Sequence, residues 1–299
     1  MRIGCLQFAP RVGDVGGNIK RADAVMSRAN SEDLSLDLLV LPEMAMTGYN
    51  FKTLQDVEPF LEDKDSGASC AWARAAAAKY KCVVVAGYPE KVHGPSASSM
   101  ETERYNAAIV VDGERVTNCR KSFLYYTDEA WALEGQGFYH GTISSLGIKT
   151  SIGICMDINP YKFEAPWTAF EFAFEVLQVK SNLVILSMAW LTRDEADVFL
   201  ETPSQPDTNT LIYWVNRFEP LIRSNKDDEV VVVFANRSGT EDEATYAGTS
   251  TVIGVQNGQV KVYGLLGRGD EELLVVDTSC PPCAWIRHAM TPVEQNSSS

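Results

Sequence analysis

Short apolar runs rich in Val, Ile and Leu alternate along this chain with stretches whose apolar residues recur every three or four positions. The runs predict strands over residues 2–8, 36–41, 82–87, 106–111, 115–121, 150–154, 183–187, 230–235, 249–255, 259–265 and 273–277. The longer period predicts helices over 19–29, 69–79, 167–180 and 210–224, with Asn18 and Ser66 as N-terminal caps. In the third helix Phe170, Phe174 and Leu177 fall at i, i+4 and i+7, and Val176 and Val179 widen that stripe into a core-facing side. Asp112-Gly113 and Asn257-Gly258 have the composition of two-residue hairpin turns. Strands, hairpins and helices in this mixture imply an α/β protein with two layers of sheet covered by helices. Residues 92–103 and 201–208 read as exposed loops. Neither divides the chain into halves of different composition, so one domain is expected.

Composition narrows the function classes. The chain has 299 residues, 45% hydrophobic and 22% charged, which is the balance of a globular protein. With 26 basic and 40 acidic residues its net charge is −14, a surface that repels phosphate backbones and excludes nucleic acid as the expected partner. Residues 1–9 lack a basic segment followed by a long apolar run, and no apolar stretch reaches the roughly 18 residues of a membrane span, so a soluble intracellular protein with no membrane partner is expected. The seven cysteines are an odd number, which argues against a disulfide framework. Cys280 and Cys283 have CxxC spacing but no second pair or nearby histidine, so they read as two unpaired thiols rather than a metal site.

Candidate chemistry begins at Cys155. The run Ser151-Ile152-Gly153-Ile154 is a strand ending at this cysteine, and strand ends in α/β folds line ligand clefts. An ordinary buried thiol is the competing reading. A cysteine nucleophile needs a group that takes its proton, usually histidine, but His93, His140 and His288 all lie in unconvincing settings. A carboxylate whose pKa is raised by burial can serve instead. Glu43 is the candidate, directly after the apolar run 36–42, although a solvated turn position is the alternative. Lys121 closes a hairpin strand and could stabilise an oxyanion and favour the thiolate, unless it is a surface charge. Glu129, eight positions later on an aromatic-rich stretch, could hold Lys121 or orient a substrate, unless it is a surface acid.

Taken together, these segments resemble the nitrilase, or carbon-nitrogen hydrolase, superfamily. The matching pieces are Leu39-Val40-Leu41-Pro42-Glu43 with Thr47-Gly48-Tyr49, then Arg120-Lys121, then Gly153-Ile154-Cys155-Met156-Asp157. The first strand with Gly13-Asp14 and Asn18, and the later stretches 232–239 and 246–250, also match. The resemblance spans residues 1 to about 278, which would make 1–278 the domain and 279–299 a tail, partly disordered. It implies an αββα sandwich without cofactor or metal. It also implies a thioester mechanism in which Glu43 is the general base, Cys155 the nucleophile, and Lys121 with the Met156 N–H the oxyanion donors. Glu129 would then be the supporting second glutamate.

After the cysteine, Asp157-Ile158-Asn159-Pro160-Tyr161-Lys162-Phe163-Glu164-Ala165-Pro166-Trp167 departs from the common family pattern and resembles a fungal branch that deamidates N-terminal Asn and Gln of proteins. That resemblance implies N-terminal Asn/Gln peptides or proteins as partners, entry of the products into N-degron-directed degradation, and a cytoplasmic location, with the nucleus as a second compartment. An α-ammonium would be bound by carboxylates near the nucleophile, with Asp157 the nearest in sequence and Glu241 a weaker candidate. For Asp157, bonding to the amides of its own turn is equally open. A small-molecule ω-amidase or nitrilase of the same fold and a catalytically inactive binding scaffold are the alternatives, and a homodimer is left open.

Overall fold

The apolar runs assemble into two mixed sheets placed face to face. In the computed structural model, which describes residues 1–29, 34–93 and 102–286, the strands in chain order are β1 (Arg2–Leu6), β2 (Leu38–Val40), β3 (Val83–His93), β4 (Thr102–Asp112), β5 (Arg115–Arg120), β6 (Tyr139–Ile143), β7 (Ile148–Ile154) and β8 (Leu183–Met188). They continue as β9 (Val230–Asn236), β10 (Thr240–Glu241), β11 (Ala244–Thr245), β12 (Thr251–Gln256), β13 (Gln259–Leu265), β14 (Leu273–Asp277) and β15 (Ala284–Ile286). The helices are α1 (Val15–Ala29), α2 (Leu54–Val57), α3 (Ala68–Tyr80), α4 (Tyr126–Glu129), α5 (Glu171–Val179), α6 (Ala196–Glu201), α7 (Thr208–Arg217) and α8 (Glu219–Arg223).

One sheet has six strands in the order β14-β1-β2-β3-β4-β5, and the other has seven in the order β15-β13-β12-β9-β8-β7-β6. The period-2 alternation of strands sorts the side chains into layers. Leu38, Val40, Val83, Val85, Ala108 and Val110 of the first sheet meet Ile152, Ile154, Leu183, Ile185, Val231 and Val233 of the second in a buried inter-sheet core. The alternate residues Leu39, Leu41, Val84 and Ala86 pack outward on α1 and α3. Those of the second sheet, Val184, Leu186, Val232 and Phe234, pack on α5, α7 and α8. The result is the expected αββα sandwich. β1, β2 and β3 run parallel, as do β7, β8 and β9, so the chain leaves β2, β5, β7 and β8 at one end of the sandwich.

Several expectations move. Asn18 does not cap α1. It is buried inside the helix and ties Arg11 N–H and C=O and the Met46 C=O together, while Asp14 accepts from the Gly17 N–H at the helix start. Ser66 is not the cap of α3 either: Glu62 receives the Ser69 N–H and hydroxyl. The helix expected over 167–180 breaks at Phe170 (φ 43°), and α5 buries Phe172, Ala173 and Val176; of the expected stripe Phe170 and Val176 are buried and Leu177 packs on the core, but Phe174 is 51% exposed. The helix expected over 210–224 is divided at Phe218, after which α8 begins at Glu219 with Pro220 in its first turn. In the 92–103 stretch, Val92 and His93 pair with Glu103 and Thr102, so the hairpin is longer than expected, and 94–101 lie outside the described residues. The segment expected to be a tail supplies β15, paired with β13, and 287–299 lie outside the described residues. The hairpin at Asn257-Gly258 has both residues at positive φ, as its composition requires.

Candidate active site

The shared end of the sandwich is where the chemistry collects. β7 delivers Cys155 into a left-handed conformation (φ 44°) and turns at once into a 3-10 helix, Cys155–Ile158. Such a φ costs a non-glycine residue about 1–3 kcal/mol and is sustained only by the packing around it. That packing is tight: a Cβ at Gly153 would lie 3.0 Å from Leu186 and from Phe172. β2 is followed by Glu43, which lies so close to β3 that a Cβ at Gly87 would sit 2.6 Å from the Glu43 Cα, a clash with main chain. β5 is followed by Lys121, whose N–H bonds to the Asn106 C=O of β4.

Behind the cysteine these side chains form a closed charge cluster. Glu43 and Lys121 are fully buried. The Lys121 Nζ donates to Glu43 Oε1 at 2.7 Å and to Asp128 Oδ2 at 2.6 Å. Asn106 Nδ2 bridges the same two carboxylates, at 2.6 Å from Glu43 Oε1 and 2.9 Å from Asp128 Oδ1. The other oxygen of Glu43 accepts the Ala189 N–H at 2.9 Å. Asp128 Oδ2 also accepts from the Tyr49 hydroxyl at 3.2 Å and the Tyr125 N–H at 3.0 Å.

The electrostatics follow from burial and sign. Burial raises the Glu43 pKa; Lys121 pulls it down, Asp128 pushes it further up, and the net is a rise. Burial opposes the charge on Lys121, but Asp128 and Glu43 outweigh it and hold the ammonium protonated. The Cys155 thiol is pushed well up by burial and by Glu43, against the opposing pull of Lys121 and of the Ala189 N–H. Cys155 therefore rests as a thiol, and the Glu43 charge is close enough to help hold it there.

In front of Cys155 lies a cavity of about 200 Å³, lined by Tyr49, Tyr125, Met156, Asn159, Phe163, Ala189 and the 190–193 segment, with Tyr213 behind. Its volume is below the range of about 300–1,000 Å³ usual for drug-sized ligands and suits a single side-chain-sized group. Phe163 and Arg193 on its rim are exposed, so the cavity opens to solvent there.

Four sequence-predicted residues, Glu43, Lys121, Cys155 and Met156, meet here, and three do not take their expected places. Glu129 is exposed; its neighbour Asp128 is buried and holds Lys121. On the single turn of α4 the two acids face different directions, and only the one whose carboxylate folds back on the Tyr125 N–H points inward. Asp157 does not line the cavity. Its Oδ1 accepts the Ser122 and Phe123 N–H groups and its Oδ2 the Ile154 N–H, so it ties the Lys121 loop to the Cys155 turn. Burial pushes its carboxyl up to about 7 against the pull of those N–H groups. Glu241 is likewise saturated by the Tyr49 and Asn50 N–H groups, the Tyr246 hydroxyl and Arg237. Sequence reasoning missed Asp128, Asn106 and the aromatic lining. For Asp128 a signal existed: an acid three residues after Tyr125, at the start of a short helix, is a capping position.

Comparison with known proteins places this arrangement. The family model of carbon-nitrogen hydrolases matches residues 2–159. The protein N-terminal amidase of Schizosaccharomyces pombe is 36% identical over 291 residues, covering 92% of this chain and 98% of that protein. The protein N-terminal amidase of Saccharomyces cerevisiae is 32% identical over 212 residues, which is 64% of this chain and 45% of that longer protein. A solved structure of an N-terminal amidase with an Asn-Glu-Ala peptide superposes with a TM-score of 0.80 at 24% identity, over 92% of this chain and 96% of that one, a likeness of fold.

Proposed function

This chain belongs to the carbon-nitrogen hydrolase family and is a hydrolase of carbon–nitrogen bonds, and from that premise we propose that it is a protein N-terminal amidase, converting N-terminal Asn or Gln to Asp or Glu with release of ammonia. The carrying observation is the buried Glu43–Lys121–Asp128 cluster behind Cys155, facing a cavity the size of one amide side chain and open on one side. The 36% identity to the S. pombe amidase over nearly the whole of both chains supports the choice of substrate class. In this reading the acidic products feed N-degron-directed degradation.

In the proposed reaction Glu43 takes the thiol proton as the sulfur attacks the carboxamide carbon. The carbonyl π pair moves onto oxygen, where Lys121 and the Met156 N–H stabilise it. Collapse breaks the C–N bond, and protonated Glu43 gives its proton to the departing ammonia. Water then loses a proton to Glu43 and attacks the thioester, regenerating the thiol. Asp128 and Asn106 keep Lys121 and Glu43 in register throughout.

With Asp157 and Glu241 saturated by the protein's own donors, the substrate α-ammonium meets the Trp190, Tyr213 and Tyr125 rings and Asn159 in place of a carboxylate. One observation favours a second reading. The charged residue on the cavity rim is Arg193, a cation that suits a small acidic ω-amide. Ammonia release from Asn-peptides, Gln-peptides and α-ketoglutaramate separates the two. The amidase reading expects turnover of the peptides and its loss on acetylating their α-amine. Turnover of α-ketoglutaramate alone, or undiminished turnover of acetylated peptides, overturns it.

A further inference from the structure

Two large aromatic side chains stand exposed beside the cavity mouth. Tyr126 is 65% and Phe163 45% exposed. With Tyr125 they form a contiguous patch: ring centroids lie 5.1 Å apart for Tyr125–Tyr126, 6.1 Å for Tyr126–Phe163 and 6.4 Å for Tyr125–Phe163. Tyr125 and Phe163 also line the cavity that holds Cys155, so the patch continues the cavity wall outward.

The placement of Phe163 is enforced. Lys162 (φ 53°) and Phe163 (φ 56°) are consecutive left-handed residues, and neither is glycine. Two such residues in a row persist only where neighbouring contacts over-determine them. Those contacts are present: the Phe163 and Glu164 N–H groups close turns onto Pro160 and Tyr161, the Tyr161 N–H bonds to Glu171, and the Tyr161 hydroxyl bonds to Glu134. The strained turn therefore presents an apolar ring at the mouth of the site rather than burying it.

Resting on the reading of the protein as an N-terminal amidase, we infer that Tyr126 and Phe163, with Tyr125, form a subsite for the side chain of the residue that follows the substrate's N-terminal Asn or Gln, selecting bulky apolar residues there. The reach is right. Consecutive Cα atoms are about 3.8 Å apart, so with the first side chain in the cavity the second residue lies at the mouth, within range of these rings. Its chemistry is that of the patch: exposed aromatic faces gain by covering apolar or aromatic surface and gain nothing from a glycine.

The test is kcat/KM for otherwise identical Asn-Phe, Asn-Leu and Asn-Gly peptides on the wild type, Tyr126→Ala and Phe163→Ala. The wild type is expected to favour Asn-Phe over Asn-Gly by about tenfold, the low end of what an added apolar group supplies in a binding site. Tyr126→Ala, at an exposed position outside the catalytic cluster, is expected to narrow that ratio to about twofold and leave Asn-Gly turnover within about twofold of wild type. Equal wild-type rates on the three peptides, or an equal drop on all three in Tyr126→Ala, overturns the subsite while leaving the amidase reading intact. Failure to cleave any Asn- or Gln-peptide overturns both. Sedimentation showing that Tyr126→Ala converts a dimer to a monomer identifies the patch as a subunit contact and also overturns the subsite.

Discussion

Two buried charge centres sit near each other in this fold, and they differ in what their oxygens do. In the Arg237–Glu241 centre the acid accepts two backbone N–H groups and the Tyr246 hydroxyl and forms an ion pair with the guanidinium, and Arg237 donates to the Pro10 C=O and covers the Tyr246 ring. These contacts tie the Tyr49, Asn50 and Pro10 main chain and the Tyr246 side chain together. In the Lys121 centre a single cation lies between two carboxylates, a thiol whose pKa responds to all three charges stands next to them, and a cavity opens beyond the thiol. Burial of charge alone therefore does not mark an active site. A titratable pair facing an open volume does, and saturation by backbone donors marks a brace.

The sharpest contrast comes from Cys155→Ser, where an alkoxide is far harder to form than a thiolate. It is expected to lower kcat by at least about 10⁴-fold, the scale on which removal of a catalytic nucleophile acts, read as ammonia release with unchanged circular dichroism. Glu43→Gln is expected to lose about 10²–10⁴-fold, the range of general acid–base catalysis, in both acylation and deacylation; normal accumulation of acyl-enzyme in this variant would separate the two half-reactions and break the shared-base role. Asp128→Asn is expected to lose about 10–10²-fold by loosening Lys121, whereas Glu129→Gln stays within about twofold of wild type, as surface changes do. The opposite order would return the supporting role to Glu129.

Smaller effects belong to the brace. Glu241→Gln removes a charge-assisted acceptor of two N–H groups and leaves Arg237 short of its partner, so a loss of about 2–4 kcal/mol in denaturant stability is expected, with a drop in kcat/KM through the Tyr49 wall. A variant that keeps its stability but loses all activity would place Glu241 among the reacting groups. The smallest effect is on the pH profile. Glu43 must be ionised to act as base, and burial raises its pKa. The acid limb of kcat/KM therefore lies above the ordinary carboxylate value of about 4.3, and activity falls as pH drops through it. A limb at or below that value contradicts the burial argument.

Much of this was legible in the chain. The strand runs, the Asn257-Gly258 hairpin and the end-of-strand positions of Glu43 and Cys155 follow from local pattern, and of the two readings open for Glu43 the buried one holds. What escaped was decided by tertiary contacts. Asp128 and Glu129 are adjacent acids on one turn; the local capping position at Tyr125 pointed to the inward one, but the bond from the Lys121 ammonium that makes it part of the cluster was not visible in the pattern. For Asp157 the alternative of bonding its own turn is the one the structure bears out, through the Ile154 N–H, with the Ser122 and Phe123 N–H groups added, whereas nothing local revealed that the oxygens of Glu241 were already occupied. Asn106, at the start of a predicted strand, gave no hint that it would join two carboxylates.

The decisive measurement is mass spectrometry of a rapidly quenched reaction with an Asn-peptide. An adduct of the peptide minus ammonia should be found on Cys155, formed in step with the first equivalent of ammonia and undetectable in Glu43→Gln. Ammonia release without any adduct, or an adduct on Cys5, Cys82 or Cys119 in place of Cys155, would show that the nucleophile lies elsewhere.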